Sequence, residues 1–218
     1  MLRTNALIRY SKTGAMKYVG HLDLLRIFQR AIRRCGLPVN FSEGFNPHLR
    51  VSFALPLTLG MDGLREYTIF EMGEEVPPDE IRGRLGAVLP AGMAISGVRY
   101  MAPEEKSPAA LLCAADYELR FGDDSLQIKI GEAARILMES VTTEVEKKTE
   151  KGSKTVDIRP DIFEMTASGN TVKMKIAAGS VRSLKPELVA QAIAPGTEYA
   201  CTRLEMYKRD GEGFAGLF

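Results

Sequence analysis

The chain has 218 residues, of which 45% are hydrophobic and 26% are charged, proportions that are typical of ordinary globular proteins. Its longest uncharged stretch is the 14 residues from Leu85 to Val98, fewer than the roughly 18 that a membrane helix needs. The N-terminus lacks an apolar segment long enough for a signal peptide, and the three cysteines are too widely spaced for a zinc or iron–sulfur site. We therefore expect a cytoplasmic protein with no membrane association, no metal and no cofactor.

The net charge of +1 conceals an uneven distribution along the chain. Residues 1–60 carry nine basic and two acidic side chains, a net charge of +7, so residues 61–218 must sum to −6. A basic segment of this kind favours an anionic partner, of which nucleic acid is the commonest. The alternative is that the two oppositely charged parts of the chain attract each other.

The first 102 residues alternate between strand and helix patterns. Residues 21–35 have an apolar arc at helical spacing, and the helix should end at Gly36, which readily takes the left-handed conformation of a C-cap. Pro78 begins a second helix that runs to about residue 89, because proline and acidic residues favour the first helical turn. Strands are predicted over residues 5–11, 38–42, 49–55, 64–72 and 93–101.

The second part of the chain loosely repeats this order. Strands are predicted over residues 116–121, 126–130, 141–148, 156–166, 171–177 and 199–207, and helices over residues 132–140 and 186–193. The pattern predicts an α+β protein with two tandem ferredoxin-like (β-α-β-β-α-β) units, each built on an antiparallel sheet. We place the units over residues 1–102 and 111–218, joined near residues 102–110.

One face of the first predicted helix is strongly basic. At 100° per residue, four arginines fall within about 100° of each other on the side opposite the apolar arc, without an interleaved acid. Guanidinium groups suit phosphate oxygens, so this face predicts nucleic-acid binding, although a solvated helix face is the alternative. The predicted nucleic-acid-binding residues are Arg26, Arg30, Arg33 and Arg34, extended by Arg50, Lys12 and Lys17.

A loop rich in turn-forming residues follows this helix. Gly44 permits a positive φ, and Asn46 before Pro47 favours an extended or turning backbone. Phe45 stands between these residues, and we expect its ring to pack under the loop; the alternative is that it stacks on a base. The predicted substrate-loop residues are Ser42, Gly44, Phe45, Asn46 and His48.

The two histidines of the chain stand at the start of this helix and at the end of this loop. A pair of histidines can supply the general base and general acid of metal-independent RNA cleavage. Asp23 follows His21 by two residues and does not share its helix face, which argues against a helical metal site. We favour no catalytic residue and keep His21 and His48 as the alternative catalytic pair.

Three runs of sequence carry a resemblance to a known family. They are Gly20–Arg26 (GHLDLLR), Phe41–His48 (FSEGFNPH) and Leu55–Gly60 (LPLTLG). Together they resemble the radical SAM-linked protein family, a bacterial family of uncharacterised function that stands beside, or is fused to, a radical SAM enzyme. The family usually has serine where this chain has Gly20. The resemblance implies a radical SAM enzyme as partner and, by association with RNA-related genes, RNA as the substrate.

These observations lead to three hypotheses. The first is a non-catalytic accessory subunit that binds RNA for a radical SAM enzyme. The second is a metal-independent ribonuclease that uses both histidines. The third is a protein–protein adaptor whose basic face docks on the radical SAM partner.

Overall fold

The computed structural model describes residues 4–149 and 152–218. The chain is a mixed α+β protein whose strands pair in an antiparallel manner, which confirms the predicted class. It divides into two compact units. The first contains the described residues up to Leu111 together with Gly216–Phe218, and the second contains Leu112–Ala215.

The first unit packs two helices on one antiparallel sheet. In this unit β1 pairs with both β3 and β4, and β2 pairs with β3. The helices bury apolar residues at helical spacing against the sheet, among them Phe28 and Ile81, both fully buried. The elements are β1 (Thr4–Lys12), α1 (His21–Cys35), β2 (Val51–Phe53), β3 (Asp62–Met72), α2 (Pro78–Gly86), β4 (Met93–Tyr100) and the short α3 (Pro108–Leu111).

The second unit has an antiparallel sheet of four long strands and the short β11, together with a separate hairpin. In this unit β5 pairs with both β10 and β9, β8 pairs with β9, and β6 pairs with β7. The short β11 pairs with β10. The elements are β5 (Leu112–Phe121), α4 (Gln127–Glu139), β6 (Glu144–Thr149), β7 (Gly152–Asp157), β8 (Ile162–Ser168), β9 (Thr171–Ala177), α5 (Pro186–Ile193), β10 (Tyr199–Asp210) and β11 (Gly213–Gly216).

The strand predicted over residues 126–130 is wrong, because α4 begins at Gln127. The alternation of apolar residues at 126, 128 and 130 suggested a strand, but Ile128 is 86% exposed. The buried stripe runs instead through Ile130, Ala134 and Leu137, which recur at the spacing of a helix. The longer helical period therefore decides the structure of this segment.

The strands predicted over residues 38–42 and 49–55 are only partly formed. Val39 makes an isolated bridge to Met72, and Phe41 makes one to Leu49. Regular pairing is limited to Val51–Phe53.

Among the helices of the described residues, none combines the length and apolar character that crossing a membrane requires.

Candidate nucleic-acid interface

Helix α1 begins without a side-chain N-cap and ends in a left-handed C-cap. Gly20 is the N-cap residue and contributes no side-chain hydrogen bond. At the other end Gly36 takes φ +64°, and the N–H of Leu37 donates to the carbonyl oxygen of Ile32. This left-handed ending satisfies carbonyl groups that the helix leaves open, as the glycine predicted.

An arginine of the second helix completes the C-terminal end of α1. Arg84 donates to the carbonyl oxygen of Cys35 from Nε at 3.0 Å and from Nη2 at 2.6 Å, and to that of Gly36 at 2.7 Å. A cation at this position also interacts favourably with the negative end of the helix dipole. Arg84 is further fixed by a hydrogen bond to Glu80 at 2.9 Å, so it is a structural cation rather than a ligand-binding one.

The four arginines predicted on the basic face of α1 are all exposed to solvent. They do not have equal surroundings, because Arg26 forms an ion pair with Asp23 at 2.8 Å. The expectation that no acid is interleaved on this face is therefore wrong for the first turn, where residues three apart are neighbours. Arg26 is the arginine least available to an anionic ligand.

The remaining three arginines form a cluster at the C-terminal part of α1. Arg30, Arg33 and Arg34 make no ion pair with any carboxylate of the described residues. Residues three and four apart lie side by side on a helix, so Arg30 neighbours both of the others. The structure therefore leaves three guanidinium groups of one helix face open to solvent.

The three residues expected to extend this patch have different surroundings. Lys12 is only 1% exposed and donates to the carbonyl oxygen of Lys17 at 3.4 Å, so it lies below the surface instead of on it. Lys17 is half-buried, and its amine lies over the ring of Tyr18. Arg50 is paired with Glu71 at 3.2 Å. The placement of Lys12 and Arg50 shows that neither is an open surface cation.

The loop over residues 42–48 is closed at its base by its first and last residues. The N–H of Ser42 donates to the carbonyl oxygen of His48 at 2.8 Å, and the N–H of His48 donates to Ser42 Oγ at 3.1 Å. The same hydroxyl lies 3.0 Å from His48 Nδ1. The base of the loop is therefore fixed by hydrogen bonds within the loop itself.

The ring at the tip of this loop stands in solvent. Phe45 is 106% exposed, so the expectation that its ring packs under the loop is wrong. Gly44 takes φ +112°, a conformation that glycine adopts readily, and an atom added at its Cβ position would meet nothing within 4 Å. The ring of Phe45 and the space beside Gly44 are therefore open to solvent.

The loop and the open arginines are close along the chain and lie at the same end of the sheet. Only four residues separate Arg34 from Val39, which makes a bridge to Met72 at the end of β3. The N–H of Arg50 then donates to the carbonyl oxygen of Asn40. The topology therefore places the C-terminal end of α1 and both ends of the loop in one region of the first unit.

The two histidines have separate surroundings. The ring of His21 packs edge-on against Phe53, with 5.0 Å between ring centroids. Phe53 in turn contacts the buried ring of Phe28. No hydrogen bond or ring contact within the described residues joins His21 to His48. The structure gives these histidines separate roles in packing and in closing the loop.

Other features of this region escaped the sequence analysis. Asn40 and Arg50 both bond to Glu71, from positions 31 and 21 residues away. A pattern of neighbouring residues cannot predict contacts between positions that are so distant in sequence.

Burial raises the pKa of the Cys35 thiol, which disfavours its thiolate form. No group of three or more His, Cys, Asp or Glu side chains in residues 4–149 and 152–218 is arranged to hold a metal ion.

The fold and this region define a mixed α+β protein with a basic helix face beside an exposed aromatic loop. The chain belongs to the DUF2344 family, described as an uncharacterised protein conserved in bacteria, which it matches over residues 6–186. No curated protein matches the chain. Among solved structures, a candidate glycine cleavage system transcriptional repressor has 12% identity, covers 96% of this chain and 100% of its own, and has a TM-score of 0.24. A likeness at that score supports no conclusion.

Proposed function

We propose that this protein is a non-catalytic accessory subunit that binds RNA for a radical SAM enzyme. The observation that carries the RNA-binding role is the cluster of Arg30, Arg33 and Arg34, which are exposed on one helix face and have no carboxylate partner within residues 4–149 and 152–218. Exposed guanidinium groups form charge-assisted hydrogen bonds with phosphate oxygens. Such contacts supply affinity and dependence on salt, and they carry no sequence information.

The spacing of these arginines suits a phosphate backbone. The helix rises about 1.5 Å per residue, so Arg30 and Arg34 are about 6 Å apart along the axis. Long, flexible side chains at that separation can reach neighbouring phosphates of one strand. We therefore assign the primary contact to α1 and a secondary contact to the 42–48 loop.

The partner is proposed from the resemblance to the radical SAM-linked family. The three segments that carry it, Gly20–Arg26, Phe41–His48 and Leu55–Gly60, all belong to the first unit. The N–H of Gly60 donates to the carbonyl oxygen of Lys17, which ties the third segment to the residues just before α1. In this proposal the partner enzyme supplies the radical chemistry and this chain presents the RNA.

We interpret both units as ferredoxin-like, from their element order and strand pairing. In each unit the first strand pairs with two other strands, β1 with β3 and β4 and β5 with β9 and β10. All four pairings are antiparallel, as the β-α-β-β-α-β arrangement requires. The hairpin β6–β7 is then an insertion in the second unit. This interpretation is at the level of fold and carries no function by itself.

A charge-matched pair of variants tests the RNA-binding role. The test variant replaces Arg30, Arg33 and Arg34 with Gln. The control replaces Arg82, Arg120 and Arg135 with Gln; these arginines are also exposed, but each is paired with a nearby carboxylate. Both variants lose three positive charges, so a difference between them reports position instead of net charge.

Binding to a fluorescent RNA is measured by anisotropy at several salt concentrations between about 50 and 200 mM. Each phosphate contact to a single strand contributes about 0.7 to the slope of log affinity against log salt, so the test variant should lose about 2 from that slope. The control variant should keep the wild-type slope. Equal losses in the two variants, or wild-type binding that does not weaken with salt, would contradict the proposal.

The partner is tested by isolating the protein from native bacterial lysate with and without ribonuclease treatment. We expect a radical SAM enzyme and RNA in the untreated sample. A partner retained in full after ribonuclease treatment, with no RNA in the untreated sample, would favour the adaptor hypothesis. Cleavage of the RNA by the purified chain, lost on replacing His21 with Ala, would favour the ribonuclease hypothesis.

A further inference from the structure

We infer that the substrate is a single-stranded segment of RNA and that Phe45 stacks on one of its unpaired bases. This inference rests on the proposed RNA-binding function and adds the class of RNA to it. The exposure of Phe45 and the contacts of the 42–48 loop carry it.

The ring of Phe45 has no partner within the described residues. Its exposure is 106%, and no ring or cation contact involves it. Phe41, the residue just before the loop, is 52% exposed. Burial of an aromatic ring stabilises a folded chain, and a ring that stays in water does not contribute this stabilisation. A ligand that covers the ring of Phe45 would therefore gain the free energy of removing it from water.

The loop holds this ring away from the protein surface. Hydrogen bonds between Ser42 and His48 fix the two ends of the loop, and the space beside Gly44 is open. A base can therefore approach the ring without displacing protein atoms. Because the base of the loop is already ordered, less conformational freedom is lost when a ligand binds.

The chemistry of stacking selects an unpaired base. Bases inside an RNA duplex are already stacked on each other, and the deep, narrow major groove does not admit side chains. In loops and single strands the bases can turn outward and stack on aromatic rings. Arginine contacts to phosphates alone would accept a duplex equally well, so Phe45 is the residue that distinguishes the two.

The surroundings of Phe45 favour RNA over an apolar protein partner. The ring is flanked by the polar Asn46 and lies on the same unit as the three open arginines of α1. An exposed aromatic ring on the unit that carries three open arginines fits a ligand with flat aromatic bases joined by phosphates. A protein partner that buries Phe45 is kept as an outcome of the test.

The composition of the chain allows a direct test by fluorescence, because it contains no tryptophan. Replacing Phe45 with Trp introduces one fluorophore at the loop tip. Replacing Ile128 with Trp introduces one at a site on α4 that is 86% exposed and far along the chain. Each variant is titrated with single-stranded RNA and with a duplex of the same length.

We expect single-stranded RNA to quench the fluorescence of Trp at position 45 and to leave that at position 128 unchanged. Phe45→Ala should weaken binding of the single strand by about five- to 150-fold, the range that stacking contributes per base. It should change duplex binding by less than about twofold, since phosphate contacts are untouched. Phe45→Tyr should restore most of the lost affinity.

The two proposals fail in different ways. Wild-type protein that binds neither RNA in a salt-dependent manner would overturn the RNA-binding function itself. Salt-dependent binding that is the same for single strand and duplex, and unaffected by Phe45→Ala, would leave that function standing and overturn the stacking inference. Loss of a protein partner on Phe45→Ala, without a change in RNA affinity, would also overturn it.

Discussion

Ser42 Oγ accepts a hydrogen bond from the backbone N–H of His48 at 3.1 Å and lies 3.0 Å from Nδ1 of the same histidine. A hydroxyl that accepts from an N–H can still donate its own hydrogen. Nδ1 of His48 also lies 3.4 Å from the carbonyl oxygen of Asn46, so two oxygens of the loop lie beside this ring nitrogen. One serine in this way fixes both the backbone and the side chain at the end of the loop.

Replacing Ser42 with Ala should loosen the base of this loop. The substitution removes the acceptor of the His48 N–H and the partner of Nδ1, while the backbone bond from Ser42 to His48 can remain. We expect faster hydrogen exchange at the His48 amide and a fall in stability of about 1 kcal/mol or less. The control is Ser52→Ala, an exposed serine on β2. Unchanged exchange at His48 would show that the loop is held by other contacts.

Arg84 stabilises the end of α1 in a way that can be measured. Arg84→Met keeps much of the side-chain volume and leaves the carbonyl oxygens of Cys35 and Gly36 without these donors. Because hydrogen bonds that involve a charged group contribute about 1.5–3 kcal/mol, we expect the free energy of unfolding to fall by about 2 kcal/mol in urea titrations.

The control for this prediction is Arg82→Met on the same helix. Arg82 is 54% exposed and pairs with Asp79, an arrangement that is worth about 0–1 kcal/mol. Equal losses for the two variants would indicate that Arg84 acts as an ordinary surface cation.

Features that depend on neighbouring residues were accessible from the sequence. The bounds of α1, its buried stripe and its ending at Gly36 follow from spacing and backbone preference over a few residues. The ion pair between Asp23 and Arg26 is also local, because residues three apart are neighbours on a helix.

Features that depend on distant parts of the chain were not accessible. Arg50 looked like part of a basic patch, but its partner Glu71 comes from another strand. Lys12 is buried because it lies on β1 between its paired residues Gly63 and Met93. The orientation of Phe45 depends on how much room surrounds the loop, which no periodicity encodes.

Asp116 should make the stability of the protein depend on pH. Burial raises the pKa of this carboxyl, and nearby Glu164 and Glu205 add to the effect; the hydrogen bond from Tyr207, at 2.6 Å, and the charge of Lys175 oppose it. Because its folded-state pKa is raised, the folded protein holds this proton more tightly than the unfolded chain does.

The stabilising contribution of Asp116 is therefore fully present below about pH 3.9, the ordinary pKa of aspartate, and is lost as the pH rises through the folded-state value. In Asp116→Asn this proton is absent. We expect the variant to gain stability relative to wild type as the pH rises from about 4 toward neutrality. The free energy of unfolding is measured by urea titration at each pH. A relative change in the opposite direction would mean that the Tyr207 bond outweighs burial.

Cys201 should be almost unreactive toward alkylation in the folded protein. Its side chain lies in a buried position on β10, and burial, reinforced by the charge of Glu187, raises the pKa of its thiol to about 12. The thiolate is the reactive form, and an unfolded cysteine has a pKa of about 8.5, so the native thiolate population at pH 8 is smaller by roughly a thousandfold.

We expect iodoacetamide at pH 8 to modify Cys201 at least about a hundredfold more slowly in buffer than in urea, measured by mass spectrometry of the labelled peptides. Cys35 and Cys113 are half-buried and serve as internal references, because partial exposure leaves them open to the reagent. They should be labelled before Cys201 in the folded state and at similar rates in urea. Labelling of Cys201 in buffer as fast as these references would show that β10 opens readily, since a closed strand shields both the sulfur and its proton.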